Sequence, residues 1–409
     1  MRSLVAVVLP SVLALGAVLA GCRARSFNAE PLGEIPDVVT SAEPLWIPYR
    51  VMAGQSYAAD PREGRLADLR RVTFDGRSGA PTWHPDSRTL IFERGEPGCA
   101  ELVEMNLATG ETVRLSPTKG SAALGGYVDE PRRLVFLHAQ APSPPCRATF
   151  HDGPPRWTPP PADVWVKGPH AEPSRALLPD PATEMDLTVS RGKLVFTSLR
   201  DGDPELYGAR ADGTAIRRLT QAPGYDGGAS LSPDGTRLVW HAERHSPPPE
   251  RPVDGKATAG RSKMAPPKDD VDDAKDGAAD RAIAPESLHL FVAGAEGQHA
   301  RGLGAFGRYD VEPSFLPDSR HVVFSSDYDA APDETPTFEI YLVDVEAGPR
   351  VGGGLPAERV TYHPAYDGQA AVSPDGRWVA FVSTRAAVDQ GPGPKGERDI
   401  FVARWRETD

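Results

Sequence analysis

The chain has 409 residues, including 40 Gly and 43 Pro, and 25% of it is charged. With 13 Phe, 10 Tyr and 7 Trp there is material for a large core, so collagen, coiled coil and wholesale disorder are excluded. The 57 acidic against 45 basic residues give a net charge of −12, which argues against nucleic acid or an anionic membrane surface as partner. Three cysteines exclude a disulfide-dense scaffold and multi-cysteine zinc or iron–sulfur sites.

Arg2 precedes an uncharged stretch from Leu4 to Ala20, and Leu19-Ala20-Gly21-Cys22 follows. A basic start, a short apolar run and small residues before a cut site read as a secretory signal over residues 1–21. The run is too diluted by Ala, Gly and Pro10 to read as a membrane-spanning helix. The quartet resembles the bacterial lipobox, which implies cleavage before Cys22 and lipidation (palmitate) of that cysteine. The chain would then be held at a membrane by its lipid. Arg23, not Asp, follows the cysteine. By resemblance to Gram-negative sorting signals, this implies the periplasmic side of the outer membrane. Residues 22–68 are Pro-rich and read as a tether, with Trp46-Ile-Pro-Tyr49 available to lie across the base of the folded region C-terminal to it.

From residue 69 onward one phrase repeats: Trp83-His-Pro-Asp-Ser87, Leu231-Ser-Pro-Asp-Gly235, Phe315-Leu-Pro-Asp-Ser319 and Val372-Ser-Pro-Asp-Gly376. Each is a turn followed by a β-rich run that reaches an aromatic residue. Arg132–Phe136 and Gly192–Phe196 keep the strand without the turn. The aromatics fall at 92, 136, 196, 240, 324 and 381, which a unit of about 44 residues with three insertions explains. That period is one four-stranded propeller blade, so the sequence predicts an all-β, six-bladed β-propeller over 69–409. Third strands are expected at Glu101–Val103, Asp163–Trp165, Glu205–Tyr207, Leu288–Phe291, Glu339–Leu342 and Asp399–Val402, and outer strands at phrases such as Arg114-Leu-Ser116, Arg218-Leu-Thr220 and Arg359-Val-Thr361. The last blade runs out of chain at Trp405, while Arg71-Val-Thr-Phe74 is an outer-strand phrase with no earlier blade to join. Pairing the two hides both sheet edges and closes the ring.

These phrases resemble the propeller of TolB, from the bacterial Tol–Pal envelope system, and the wider WD-like Pro-Asp repeats. Phe196-Thr-Ser-Leu-Arg-Asp-Gly-Asp-Pro-Glu-Leu-Tyr207 carries the likeness most clearly. In TolB a separate folded domain precedes the propeller, whereas the corresponding stretch here, residues 22–68, is short.

Residues 245–286 hold seven basic and nine acidic side chains and no aromatic, so a disordered insertion is expected between the second and third strands of blade 4. Residues 141–161, Pro-rich, occupy the matching turn of blade 2 and contain Cys146; Cys99 lies in the matching turn of blade 1. In an oxidising compartment a Cys99–Cys146 disulfide is expected, with free thiols as the alternative.

Neither a nucleophile elbow, a zinc helix, a phosphate loop nor a Cys-x-x-Cys pair occurs, so no catalytic residues, cofactor or metal are assigned. Asp201, Asp203 and Glu205 read as hairpin-turn residues. The remaining constellation is Tyr225-Asp226, Tyr309-Asp310 and Tyr366-Asp367, each Asp eight residues before a Pro-Asp position. Two readings stand: a carboxylate and aromatic rim at the channel mouth that grips a peptide, sugar or cation, or Asp capping its own loop while Tyr packs between blades. The sequence therefore points to a monomeric, non-catalytic, lipid-anchored envelope protein whose propeller binds an envelope protein or a peptidoglycan-associated partner. A propeller enzyme or small-ligand binder using the channel, as some polysaccharide lyases do, is the alternative.

Overall fold

The computed structural model describes residues 51–96, 98–128, 133–141, 161–168, 173–244, 283–330, 337–348, 354–389 and 397–407. They form six antiparallel sheets. Blade 1 comprises Ser78–Trp83, Thr89–Arg94, Glu101–Asn106 and Thr112–Arg114. Blade 2 comprises Ser121–Val128, Arg133–Ala139, Asp163–Lys167 and Arg175–Leu178. Blade 3 runs through Glu184–Ser190, Lys193–Ser198, Glu205–Arg210 and Arg217–Arg218. Blade 4 has Asp226–Leu231, Arg237–Ala242, His289–Gly294 and Arg301–Gly304. Blade 5 has Asp310–Phe315, His321–Ser326, Glu339–Asp344 and Ala357–Arg359. Blade 6 has Asp367–Val372, Trp378–Ser383 and Asp399–Trp405, then borrows its outer strand, Leu66–Arg71, from the opposite end of the repeat region. The first strand of each blade contacts the first strand of the next, and the sixth contacts the first. This is a closed six-bladed propeller whose inner strands surround a central channel.

The Pro-Asp turns explain why the blades recur. Asp86 Oδ1 accepts the amides of Arg88 (2.7 Å) and Thr89 (3.0 Å); Asp318 Oδ1 accepts those of Arg320 and His321 (both 2.9 Å). Such a side chain replaces the backbone partner a tight turn leaves out. Gly235 and Gly376 follow the Asp at φ +74, and in the other two copies Ser87 and Ser319 take that strained position instead. Their hydroxyls accept the amides of Asp375 (3.1 Å) and Asp234 (3.0 Å) in the neighbouring blades. The six aromatics at 92, 136, 196, 240, 324 and 381 are all at most 1% exposed.

Closure occurs slightly upstream of the expected phrase. Leu66 faces Trp405 and Arg71 faces Phe401, so the strand is Leu66–Arg71 where Arg71–Phe74 was expected. The propeller accordingly begins before residue 69: Gln55–Ser56 adds a fifth strand to blade 6, and Val51 sits in the core between the first and last blades. Arg71-Val-Thr73 nevertheless plays the part of an outer-strand phrase. Its threonine hydroxyl accepts the Ile400 amide at 2.8 Å, as Ser116, Thr220 and Thr361 accept those of Leu102, Leu206 and Ile340 at 3.1, 2.9 and 2.8 Å. The arginine two residues earlier pairs with the acid that opens strand three: Arg71–Asp399 (2.6 Å), Arg114–Glu101 (2.7 Å), Arg218–Glu205 (2.6 Å), Arg359–Glu339 (2.7 Å). A further latch holds the closing segment. Arg385, fully buried, donates to Glu63 Oε1 (3.1 Å) and Asp367 Oδ2 (2.6 Å).

Candidate functional site

The three Tyr-Asp pairs do not form an open rim. Asp226, Asp310 and Asp367 are the first residues of the inner strands of blades 4, 5 and 6, and each is 0% exposed. At that position the side chain turns into the blade, and a buried carboxylate must be paired there. Trp240 Nε1 and Arg244 Nη2 both donate to Asp226 Oδ1 at 2.6 Å. Arg385 serves Asp367 in the same way, and Arg244 and Arg385 each lie 18 residues beyond their aspartate. Blade 5 has Tyr328 where the arginine would stand, and Asp310 caps its own loop instead. It accepts the amides of Phe306 (3.0 Å) and Gly307 (2.8 Å) and the Ser326 hydroxyl (2.6 Å), with His289 Nδ1 at 3.3 Å. Burial pushes the Asp226 carboxyl up to about 6 against the pull of Arg244, and pushes Asp310 and Asp367 upward as well. Of the two readings, the geometry matches the second: each aspartate is buried and serves its own blade and the loop that leads into it.

The tyrosines lead to a belt of polar side chains that the sequence reading missed. Every inner strand is interrupted at its third residue, or its fourth in blade 2, by a bulge whose central residue has positive φ: Ala80 (46°), Leu124 (44°), Asp186 (50°), Gly228 (58°), Glu312 (55°) and Gln369 (52°). A bulge leaves its amide outside the ladder, and in four blades a side chain of the preceding blade accepts it. Glu93 Oε1 takes Leu124 N (3.1 Å), His241 Nδ1 takes Glu312 N (3.3 Å), Glu312 Oε2 takes Gln369 N (3.0 Å), and Gln369 Oε1 takes Ala80 N (2.9 Å). The carboxylates at bulges are held in turn by the next blade's tyrosine: Tyr225 Oη donates to Asp186 (2.6 Å) and Tyr366 Oη to Glu312 (3.3 Å). In blade 4 the bulge residue must be glycine, because a Cβ on Gly228 would lie 2.0 Å from the His241 ring.

Burial sets the chemistry of this belt. It raises the carboxyls of Glu93 and Glu312 and the phenols of Tyr225 and Tyr366, and lowers His241 to about 4. The imidazole is thus neutral, as its acceptor role toward the Glu312 amide requires. Among the described residues no group of three or more His, Cys, Asp or Glu side chains is arranged to hold a metal ion. The belt's signal in the sequence was positional: Glu93, Thr197, His241 and Ser325 each directly follow the key aromatic, while Asp186, Glu312 and Gln369 are third in their inner strands.

Asp201 accepts the Tyr207 hydroxyl and pairs with Arg218, and Asp203 accepts the Gly224 amide (3.1 Å), so the hairpin acids serve their own blade. Cys99 is disulfide-bonded, and its expected partner Cys146 lies outside the described residues. Residues 1–50, with Cys22 and Trp46–Tyr49, lie outside them too, as does the insertion from 245 to 282.

No family model matches the chain. It is 37% identical over 59 residues to a protein TolB homolog of Chlorobium luteolum, a match spanning 14% of each protein. Solved structures of similar shape include the putative TolB of Agrobacterium tumefaciens (14% identity, 81% of this chain and 91% of that one, TM-score 0.45). An oligogalacturonate lyase of Vibrio parahaemolyticus (11%, 87% and 90%, 0.46) and a puromycin-hydrolysing peptidase of Mycobacterium tuberculosis (14%, 75% and 43%, 0.42) are also among them. The chain is a six-bladed β-propeller, an architecture that hosts many unrelated activities.

Proposed function

We propose that this chain is a non-catalytic lipoprotein of the cell envelope, anchored through Cys22 on the periplasmic side of the outer membrane. Its rigid propeller would present its loops to an envelope protein or a peptidoglycan-associated partner. The observation that carries this reading is the commitment of the channel's polar groups. Glu93, Asp186, His241, Glu312 and Gln369 are all engaged with neighbouring blades, which suits a stiff recognition scaffold better than a reaction centre. The Leu19-Ala20-Gly21-Cys22 quartet supplies the anchor, and the stretch similar to a TolB homolog points the same way.

The test is metabolic labelling with a palmitate analogue, followed by crosslinking and pull-down of the tagged full-length chain from its own envelope. Label that disappears in Cys22→Ala, together with a stoichiometric protein or peptidoglycan fragment on the wild type, is the expected result. An unlabelled wild type would remove the anchor. A labelled wild type that crosslinks to nothing would remove the partner.

A further inference from the structure

The regularity of the blades provides a reference against which one blade stands out. Four residues beyond the key aromatic, blades 3, 4 and 6 carry an arginine that covers the aromatic ring of strand three. Arg200 lies 4.7 Å from the Tyr207 ring centre, Arg244 5.0 Å from Phe291 and Arg385 5.6 Å from Phe401. Blade 5 places Tyr328 edge-on to Tyr341 at 5.8 Å. In blade 2 the strand-three aromatic is Trp165, opposite Phe136, and the covering position is Gln140, which is exposed. Blade 1 has Val103 opposite its key aromatic and so no strand-three ring to cover. Where blades 3, 4, 5 and 6 have a cap, blade 2 opens a cavity of about 600 Å³, lined by Trp165, His138, Gln140, Lys119 and Lys167 among others.

The lining has a definite chemistry. It includes two lysines and no carboxylate, on a chain whose net charge is −12. Trp165 is only partly buried, yet its Nε1 is enclosed and has no hydrogen-bond partner. Lys167 Nζ spends one donor on the Leu115 carbonyl (3.0 Å), which fixes the side chain and leaves its other donors available. His138 donates Nδ1 to the Ser121 carbonyl (2.8 Å), stands edge-on to Trp165 at 4.6 Å, and is kept below its usual range by burial. It is therefore a neutral wall of the cavity.

We infer that this inter-blade cavity binds a small ring compound bearing a carboxylate, of the size of one or two sugar units. The ring packs against the accessible part of Trp165, and the carboxylate faces Lys119 and Lys167. A cationic ligand of the kind that the missing arginine would mimic is repelled by the same lysines. The site is off the channel and is independent of the anchor and the protein partner proposed above.

Isothermal titration of the full-length protein with sodium galacturonate, sodium glucuronate and sodium benzoate, against galactose and glucose, tests it. Saturable binding of at least one acid, with its neutral counterpart at least tenfold weaker, is expected, and benzoate separates an aromatic acid from a sugar acid. The Lys119→Gln/Lys167→Gln variant should lose tenfold or more for the acid alone. Gln140→Arg should abolish binding while folding normally, because it restores at an exposed position the residue that blades 3, 4 and 6 carry. No saturable binding of any of the three acids would overturn the proposal. So would equal binding of the neutral sugars, or binding unchanged in Gln140→Arg with an unaltered melting temperature.

Discussion

Blades 2 and 3 are neighbours built on one pattern, yet they finish it differently. In blade 3, Arg200 covers the strand-three tyrosine and pairs with Glu184 at 2.7 Å, while Arg218 pairs with Glu205 at 2.6 Å and Thr220 caps the Leu206 amide. In blade 2, Gln140 stands free of the strand-three tryptophan, and the outer strand reads Arg175-Ala-Leu-Leu178, with no Thr to take the cap. The difference teaches how to weigh a repeated polar motif. What recurs from blade to blade answers a need that recurs, namely pairing a buried carboxylate or a stray amide, and what interrupts the recurrence is free for a ligand.

Breaking the regular side of that comparison should have the largest effect. Arg385→Met removes the cation shared by two buried carboxylates, those of Glu63 and Asp367. Leaving such charges uncompensated should cost about 3–5 kcal/mol, read from urea denaturation. Next comes Thr361→Val, which leaves the Ile340 amide without its acceptor and Glu339 without a 2.6 Å donor. A loss of about 1–3 kcal/mol is expected. The same substitution has no target in blade 2, whose outer strand carries no Thr.

The pH profile sharpens the comparison further. Burial holds Glu184 and Glu339 at about 7 and Asp226 at about 6 in the folded protein, above their unfolded values near 4. Between those limits the folded state binds more protons than the unfolded one, so these groups lower stability as pH rises from about 4 to 7. His241, held at about 4, acts in the opposite sense and lowers stability as pH falls from about 6.5. Burial raises Glu93, Asp310, Glu312 and Asp367 as well and, among the described residues, lowers only two imidazoles, His138 and His241, so the melting temperature should be higher at pH 5.5 than at pH 8. Replacing Glu184 and Glu339 by Gln should flatten the profile. The smallest effect belongs to blade 2 itself. Gln140→Arg should change stability by less than about 0.5 kcal/mol, because Lys119 and Lys167 in the same lining offset the cation–π contact it gains with Trp165.

Much of this was legible in the sequence. The Pro-Asp turns, the aromatic period and the orphan outer-strand phrase led to six blades and to closure by an N-terminal strand. The register was not fully legible, because Leu66–Arg71 contains a bulge at Asp68 that shifts which residues face Asp399–Trp405. The Tyr-Asp pairs were visible, but the groups that satisfy each inward-turned Asp differ, Arg244 and Arg385 18 residues on in two blades and a loop cap with Ser326 in the third, and no local pattern announces them. The channel belt was hidden for a related reason: its members are ordinary strand residues until a bulge turns them inward. The blade 2 cavity was not legible, because Gln140 is an ordinary polar residue until Trp165 is placed beside it across the strands.

The most direct test is hydrogen exchange on the full-length protein with and without the carboxylated ring compound that binds most tightly. Added protection should be confined to the amides around Leu115–Gly120 and Asp163–Lys167, with the inner strands Glu184–Ser190 and Asp310–Phe315 unchanged. Protection centred on those inner strands would place the ligand in the channel and contradict the claim that the recurring polar groups serve the fold.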